Sequence, residues 1–515
     1  MKLKTLSTAI LLATVPMTGV FAAAMDRSGQ SIAAFLQPGN YFEAGISILD
    51  PNVSGKEAGD YQALGRSVPD MAEDYYFPSA ALKFQPTDKF SVGILYDQPF
   101  GAAAEYSGNN IFVSNGGETV LPQAILNALG QQRIGEAVAA NLPTALAANL
   151  QPGIDGQVSL QAQQLVADGQ APNQQIAEAA VRGNGEAMAR IEAGVTQAIT
   201  TNVTNAVTQQ VTAGINAVNA SLGKGQTKVD VDTQNLTLLL GFQPNENWNI
   251  YGGPVYQTVK GNLSLRGQAY SLYNGYDASI KETGDIGWLA GVAFQIPDIA
   301  LKASLTYRSE IEHSVDAVET LSAASGLALI GVDPVELLSS KGQTNITTPQ
   351  SVNLDFQTGI MADTVAFANV RWVDWSSFSI RPYKFGLVSE AVGPLPAVNR
   401  PNGFNLVEYA DDQISATVGV GRKLSEQWAG NLSVGWDSGA GNPVSTLGPT
   451  EGYWNVGLGM QFSPAPNYFI AGGVKYFMLG DAKAQTGAQA GGDAYVASFE
   501  DNDAWAYGLK IGYRF

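Results

Sequence analysis

The last eleven residues, 505–515, form a strand-like segment with two different faces. Every second residue is apolar, and the residues between them are small or basic. Side chains alternate between the two faces of a β-strand, so one face would be wholly apolar, with aromatic rings at both ends. This pattern predicts the closing strand of a membrane β-barrel, and an amphipathic edge strand is the alternative. The apolar positions are Trp505, Tyr507, Leu509, Ile511, Tyr513 and Phe515.

The same alternation recurs along the chain from Tyr41 onwards, in about 14 segments, the kind of even number that bacterial barrels have. The connections are alternately short, such as Pro86–Lys89 and Pro244–Asn247, and long, the longest being 99–225. Short turns at one end and long loops at the other are typical of outer-membrane barrels. We therefore predict an all-β fold, a 14-stranded antiparallel transmembrane β-barrel over residues 41–515.

The N-terminus has the features of an export signal. Lys2 and Lys4 precede an apolar run and then Ala22-Ala-Ala24, which together predict a cleaved signal peptide over residues 1–24. Cleavage would leave a mature chain that starts near Met25, with Ala23 as the alternative. Residues 25–40 then remain as a short segment in front of the first strand.

The long connection at 107–225 differs in composition from the rest of the chain. Its residues 119–222 are rich in Ala, Gln, Val and Asn, which predicts an extracellular helical insertion within the barrel. We expect helix breaks near Gly130, Pro143, Pro152-Gly153, Pro172 and 183–185. A β-branched residue at every fourth position from Val195 to Ile215 would form a ridge that needs a packing partner. A self-packed hairpin, a capture surface above the barrel mouth and low-complexity disorder are the alternatives.

Composition and motifs argue against several functions. The net charge of −18 disfavours a nucleic-acid partner. Cysteine is absent, and the only histidine, His313, precedes a serine that would point to the opposite face of a strand. This geometry weakens the case for a serine hydrolase, although a serine from a neighbouring strand could still reach His313. We predict no enzyme activity, no metal site and no cofactor.

Five basic residues fall on the predicted lumen face. Each could pair with an inward acid such as Glu310, or it could receive an anionic head group, for which a guanidinium is well suited. The head-group candidates are Arg308, Lys302, Arg371 and Lys510, with Arg308 the strongest, and Lys83 completes the set.

Several segments resemble the FadL-type long-chain fatty acid outer-membrane transporter family, which includes aromatic-hydrocarbon uptake proteins. Residues 305–309, Leu-Thr-Tyr-Arg-Ser, are similar to the most specific signature of that family. The stretch from Tyr41 to Gly55, with Asp50-Pro-Asn-Val53, resembles its first strand, and Asp97–Tyr106 resembles its third strand and the exit from it. Residues 348–352 and 372–378 resemble two later strands.

The resemblance implies a barrel that is plugged by an N-terminal hatch and moves hydrophobic molecules inward without ATP. The hatch would correspond here to residues 25–40, with Asp26, Arg27, Ser28 and Gln30. A kink in the third strand opens the wall sideways in the family, and Pro99, Phe100 and Gly101 occupy the matching stretch. The chain departs from the family in its shorter hatch, which lacks the Asn-Pro-Ala motif, and in its longer helical insertion.

These observations predict a monomeric barrel in the bacterial outer membrane for passive uptake of hydrophobic compounds, with long-chain fatty acids as the expected substrate. Its partners would be the apolar small molecule and outer-membrane lipid. A general diffusion porin for small polar solutes and a loop-based adhesin are the alternatives. The predicted lumen is rich in Gly, Ala, Ser and Leu, which favours an apolar ligand; the leucines include Leu95, Leu239 and Leu289.

Overall fold

The computed structural model describes residues 25–115, 119, 123–330, 332–396 and 398–515. The predicted signal peptide lies outside the described residues. Fourteen antiparallel strands form one closed barrel, which confirms the predicted fold class. They are β1 (Tyr41–Asn52), β2 (Tyr75–Phe84), β3 (Phe90–Asp97), β4 (Lys228–Phe242), β5 (Trp248–Leu265), β6 (Tyr276–Ile296), β7 (Leu301–Arg308), β8 (Ser351–Met361), β9 (Thr364–Val373), β10 (Gln413–Lys423), β11 (Trp428–Asp437), β12 (Tyr453–Ala465), β13 (Tyr468–Leu479) and β14 (Asp503–Arg514).

The two ends of the chain close the barrel. β1 pairs with β14 along its whole length, and Ile46 lies opposite Leu509. Each other strand pairs with its neighbours in sequence, so the topology is a simple up-and-down meander. Closure leaves the wall without the free sheet edges that would expose unpaired backbone groups to lipid.

The outer face of the wall is apolar and exposed, the reverse of a water-soluble protein. On β14, Leu509 is 52% exposed, whereas the inward residues Ala506 and Lys510 are buried. Aromatic rings pair at both ends of the wall, for example Trp428 with Phe462 near the short turns. Two aromatic belts that flank an apolar band are typical of a barrel in a bilayer.

All six short turns lie at one end of the barrel, which we call the turn end, and the seven long connections lie at the other, the loop end. The short turns are residues 85–89, 243–247, 297–300, 362–363, 424–427 and 466–467. The predicted alternation of short and long connections is confirmed.

The helical insertion forms a compact unit of its own with residues 323–332. It contains α1 (Gln123–Ala167), α2 (Gln174–Gly183) and α3 (Gly185–Ala220). Apolar side chains of all three helices pack together, and they include Ile154, Val158, Val181, Ile191 and Val195. None of the helices in the described ranges is long and apolar enough to cross a membrane.

The helix breaks predicted at Gly130, Pro143 and Pro152 are wrong, because α1 runs through all three positions. Proline removes one backbone hydrogen bond and costs about 3 kcal/mol in a helix interior, so something must offset it. Packing against α3 provides this: Gly153 lies so close to Val195 that an added Cβ would come within 2.6 Å of its Cγ1. Tertiary contacts here override local propensity.

Candidate functional site

The third strand is interrupted at the positions that the sequence singles out. β3 ends at Asp97, and the chain pairs with β4 again only from Gly101 to Glu105. Proline has no backbone N–H to donate to a ladder, so Pro99 favours a break here. The Phe100 N–H donates to Thr233 Oγ1 at 2.9 Å instead of to a strand backbone.

The N-terminal segment, residues 25–40, pairs with this interruption from the lumen side. The Arg27 N–H donates to the Pro99 carbonyl at 2.6 Å, and the Gly101 N–H donates to the Met25 carbonyl at 2.9 Å. Asp26 and Phe100 face each other as an antiparallel bridge. At the interruption, backbone groups of the third strand therefore bond to the N-terminal segment instead of to a neighbouring strand. These bonds couple the position of the interrupted strand to that of the segment.

A buried ion pair holds the same segment to the opposite wall. Asp26 Oδ2 lies 2.6 Å from Arg371 Nε, and both side chains are at most 2% exposed. Arg371 also donates to Asn353 Oδ1 at 2.6 Å and to Gln30 Oε1 at 3.1 Å. The guanidinium thus has acceptors on both the wall and the segment, as a buried charge requires.

Arg308 lies beside this pair but is less completely bonded. Its Nη2 donates to the Gln30 carbonyl at 2.7 Å. Its Nε and Nη1 are buried and have no hydrogen-bond partner among the described residues. A buried donor without a partner is costly, so this guanidinium is suited to receive an acceptor that enters the lumen.

The lysine candidates have other partners. Lys302 Nζ donates to the Leu36 carbonyl at 2.9 Å, and Lys83 Nζ donates to the Gln37 carbonyl. Lys510 Nζ forms an ion pair with Glu43 at 3.6 Å. These contacts fix the C-terminal part of the N-terminal segment and the adjacent wall.

The middle of the segment is anchored by an apolar side chain. Phe35 is fully buried and packs its ring against Tyr251, with the centroids 5.9 Å apart. A Cβ at Gly93 or Gly241 would come within 2.9 Å of the Phe35 ring. Glycine at these two wall positions makes the room that the ring occupies.

Several cavities adjoin the segment, and their volumes include connected solvent. The wall cavity, about 740 Å³, lies beside β2 and β3 and is lined by Arg308, Asp97, Leu95 and other residues. The aromatic cavity, about 430 Å³, exposes an apolar surface that includes Phe100, Trp375 and Phe378. A larger mixed cavity, about 1370 Å³, is lined by Lys302, Lys475, Lys510 and other residues.

The structure brings most of the predicted site residues together. Asp26, Arg27, Ser28 and Gln30 contact Arg308, Arg371, Asp97 or the stretch Pro99–Gly101. Lys302 bonds further along the N-terminal segment at Leu36, and Lys510 lies near Glu43. The expectation that lumen cations pair with acids holds for Arg371 and Lys510, although their partners are Asp26 and Glu43 rather than Glu310.

The lumen is more polar than its glycine and leucine content indicates. Asp97, Asn353 and Lys475 face inward but were not among the predicted site residues. Asp97 accepts a hydrogen bond from the Ser28 hydroxyl at 2.6 Å. The alternation of side chains along each predicted strand could have identified these residues, because all three occupy inward-facing positions.

His313 is buried near the loop end. Its Nε2 lies 3.0 Å from Gln257 Oε1, and Nδ1 lies 3.7 Å from a carboxylate oxygen of Asp285. Burial lowers the pKa of His313, and the Asp285 charge opposes that shift. Ser314 is exposed and donates to Asn345, so the adjacent serine does not serve as a partner for the imidazole.

Comparisons with known proteins place the chain in a family. The family described as outer membrane protein transport protein (OMPP1/FadL/TodX) matches residues 140–515. The chain belongs to this family. A FadL homologue from Pseudomonas aeruginosa shares the fold, with a TM-score of 0.56, 12% identity and coverage of 99% of this chain and 98% of the homologue.

A deletion mutant of the monoaromatic hydrocarbon channel TodX is also similar, with a TM-score of 0.52, 9% identity and coverage of 97% of this chain and 99% of that one. No curated protein sequence matches this chain. As a member of the FadL/TodX family, the protein is an outer-membrane β-barrel transporter for hydrophobic compounds.

Proposed function

We propose that the protein carries long-chain fatty acids passively across the outer membrane. The single observation behind this choice is Arg308, whose buried Nε and Nη1 have no hydrogen-bond partner among the described residues. A carboxylate can accept two parallel hydrogen bonds from one guanidinium. A hydrocarbon offers no acceptor and would leave both donors unsatisfied.

The proposed path has three parts. The long connections at the loop end capture the ligand, and the alkyl chain then enters the aromatic cavity beside Phe100 and Trp375. The head group reaches Arg308 in the wall cavity. Residues 25–40 act as the hatch, and their shift frees the stretch Pro99–Gly101 so that the ligand leaves sideways into lipid.

An aromatic hydrocarbon is the second candidate substrate. The aromatic cavity is lined mostly by apolar residues and contains Phe100 and Trp375 with their ring centroids 5.5 Å apart. Aromatic rings bind other rings edge-to-face in such a setting. This cavity by itself would suit a ligand that has no head group.

The test is binding and uptake of a labelled long-chain fatty acid by the purified protein in liposomes, with the matching fatty alcohol as the uncharged ligand. Arg308→Met should weaken binding of the acid by about 10- to 100-fold and leave the alcohol nearly unchanged. Lys302→Met is the matched control, because Lys302 donates to the Leu36 carbonyl.

Two further variants sharpen the result. Asp97→Asn removes a carboxylate from the same cavity and should strengthen binding of the acid. Deletion of residues 25–40 should alter transport. Equal losses for acid and alcohol in Arg308→Met would contradict the head-group role, and free passage of small sugars without fatty acid binding would favour a porin.

A further inference from the structure

The wall has a gap in its backbone ladder next to the interruption. β2 pairs with β3 only from Ala80 to Phe84, whereas on its other side it pairs with β1 from Tyr75 onwards. Beyond the gap, the Tyr75 hydroxyl donates to the Ala103 carbonyl and accepts from the Ala103 N–H, both at 2.8 Å. A side chain here replaces a backbone partner, so no backbone ladder joins Phe77–Ser79 to Gln98–Ala102.

The side chain of Arg27 closes this gap from the lumen. Its guanidinium carbon lies 4.1 Å from the centroid of the Tyr75 ring and 5.7 Å from that of Phe77. Gly101 lies on the other side, where an added Cβ would come within 2.1 Å of the guanidinium carbon. Any larger residue at position 101 would have to displace Arg27, so the guanidinium fits between the two strands that frame the gap.

Arg27 also borders two cavities. It lines the wall cavity, together with Ser79 and Arg308. It also lines a second cavity, the loop-end cavity, together with Met71 and Thr450. This cavity lies toward the loop end and has a volume of about 480 Å³, connected solvent included. Arg27 therefore borders both a space next to the loops and a space next to the wall.

The guanidinium is held by exchangeable contacts. Its ion-pair partner, Asp232, lies 3.4 Å away and is 33% exposed. Asp232 also pairs with Lys260 at 3.5 Å, so its charge is shared between two cations. The ring contacts and this pair involve only the guanidinium, whereas the Arg27 N–H bonds separately to the Pro99 carbonyl.

We propose that Arg27 is the latch of the wall gap: release of its guanidinium from Tyr75, Phe77 and Asp232 joins the two cavities. A carboxylate head group is the competitor that would release it, since it offers the guanidinium the same acceptor as Asp232. This role rests on the proposed function for its biological use, but the movement itself can be measured without any fatty acid.

The chain has no cysteine, so single-cysteine labelling gives a clean test. Ser79→Cys places a thiol in the wall cavity, and a water-soluble thiosulfonate reagent reports whether that thiol can be reached from the aqueous side. Combining it with Arg27→Ala should raise the labelling rate by roughly tenfold, and Arg27→Lys should raise it less. Thr450→Cys, on the loop-end cavity, is the matched control whose rate should not change.

Gly101→Ala provides a second route that keeps the positive charge. The new methyl group occupies the place of the guanidinium, so it should raise Ser79→Cys labelling as Arg27→Ala does. Equal labelling of Ser79→Cys in all four backgrounds would overturn the latch. If labelling changes as expected but fatty acid is not taken up by the unmodified protein, the latch stands and the proposed substrate fails.

Discussion

The start of the N-terminal segment, residues 26–30, and the helical insertion are held by opposite kinds of contact. Residues 26–30 are fixed by buried charges and carbonyls, chiefly Asp26 with Arg371, whereas Phe35 anchors the middle of the segment by apolar packing. The insertion is fixed by apolar packing around Val158 and Val195, and its ion pairs lie at the surface. Residues 26–30 therefore depend on partners of matched charge, and the insertion depends on buried volume.

The difference indicates what each region can do. Removing one member of a buried ion pair leaves an uncompensated charge, so the segment has one favoured position and a high cost for partial loss. In the proposed function, an anionic ligand would exchange these polar contacts for its own. Apolar packing offers no such exchange, so we expect the insertion to keep its helices whether or not a ligand is bound.

The largest expected effect is that of Arg371→Ala. The change leaves Asp26 buried without its ion-pair partner and should reduce the stability of the attached segment by about 3–5 kcal/mol. Hydrogen exchange of the amides of residues 26–30 measures this loss directly. The double variant Asp26→Leu/Arg371→Met should recover much of the lost stability. A loss below about 1 kcal/mol in Arg371→Ala would contradict the contrast between the two regions.

Ile154→Ala should have a somewhat smaller effect, confined to the insertion. Ile154 is buried in the cluster shared by α1, α2 and α3, and truncation should cost about 2–4 kcal/mol. Thermal melting followed by the helical circular dichroism signal checks this value. Leu160→Ala, at a position that is 57% exposed on the same helix, should change stability by less than about 0.5 kcal/mol.

The smallest effect is expected for Arg182→Ala. Arg182 Nη2 lies 2.8 Å from Asp155 Oδ1, nearly as close as the Asp26–Arg371 pair, but these side chains are 44% and 49% exposed. Water and salt screen such a pair, so its loss should cost about 0.2–1 kcal/mol in the same melting experiment. A loss above about 2 kcal/mol would mean that distance matters more than burial.

The barrel was predictable because its pattern is local. Period-two alternation and the turn residues at 86–89 and 244–247 are properties of short windows, and they are sufficient to place strands such as β14. The inward cations follow from the same parity, and Arg308, Arg371 and Lys510 are all buried. Lipid outside and a polar lumen inside make each inward or outward assignment unambiguous.

The partners of these side chains were not predictable in the same way. Arg371 and Asp26 are 345 residues apart, and no window of sequence contains both. The continuous helix α1 was missed for a related reason, since Pro143 and Pro152 are breakers locally and only packing against α3 offsets them. Long-range contacts decide both cases, and alternation patterns carry no information on them.

Closure of the barrel between β1 and β14 has a consequence for biogenesis. The fourteenth barrel strand is the partner of the first, so the ring cannot be completed until β14 has been made. Contacts between such distant residues form slowly, and both open edges need protection until they meet. Residues 25–40 precede β1 and bond to inward side chains of β7, β8 and β9. They must therefore be enclosed as the ring shuts, which makes capture of this segment part of assembly.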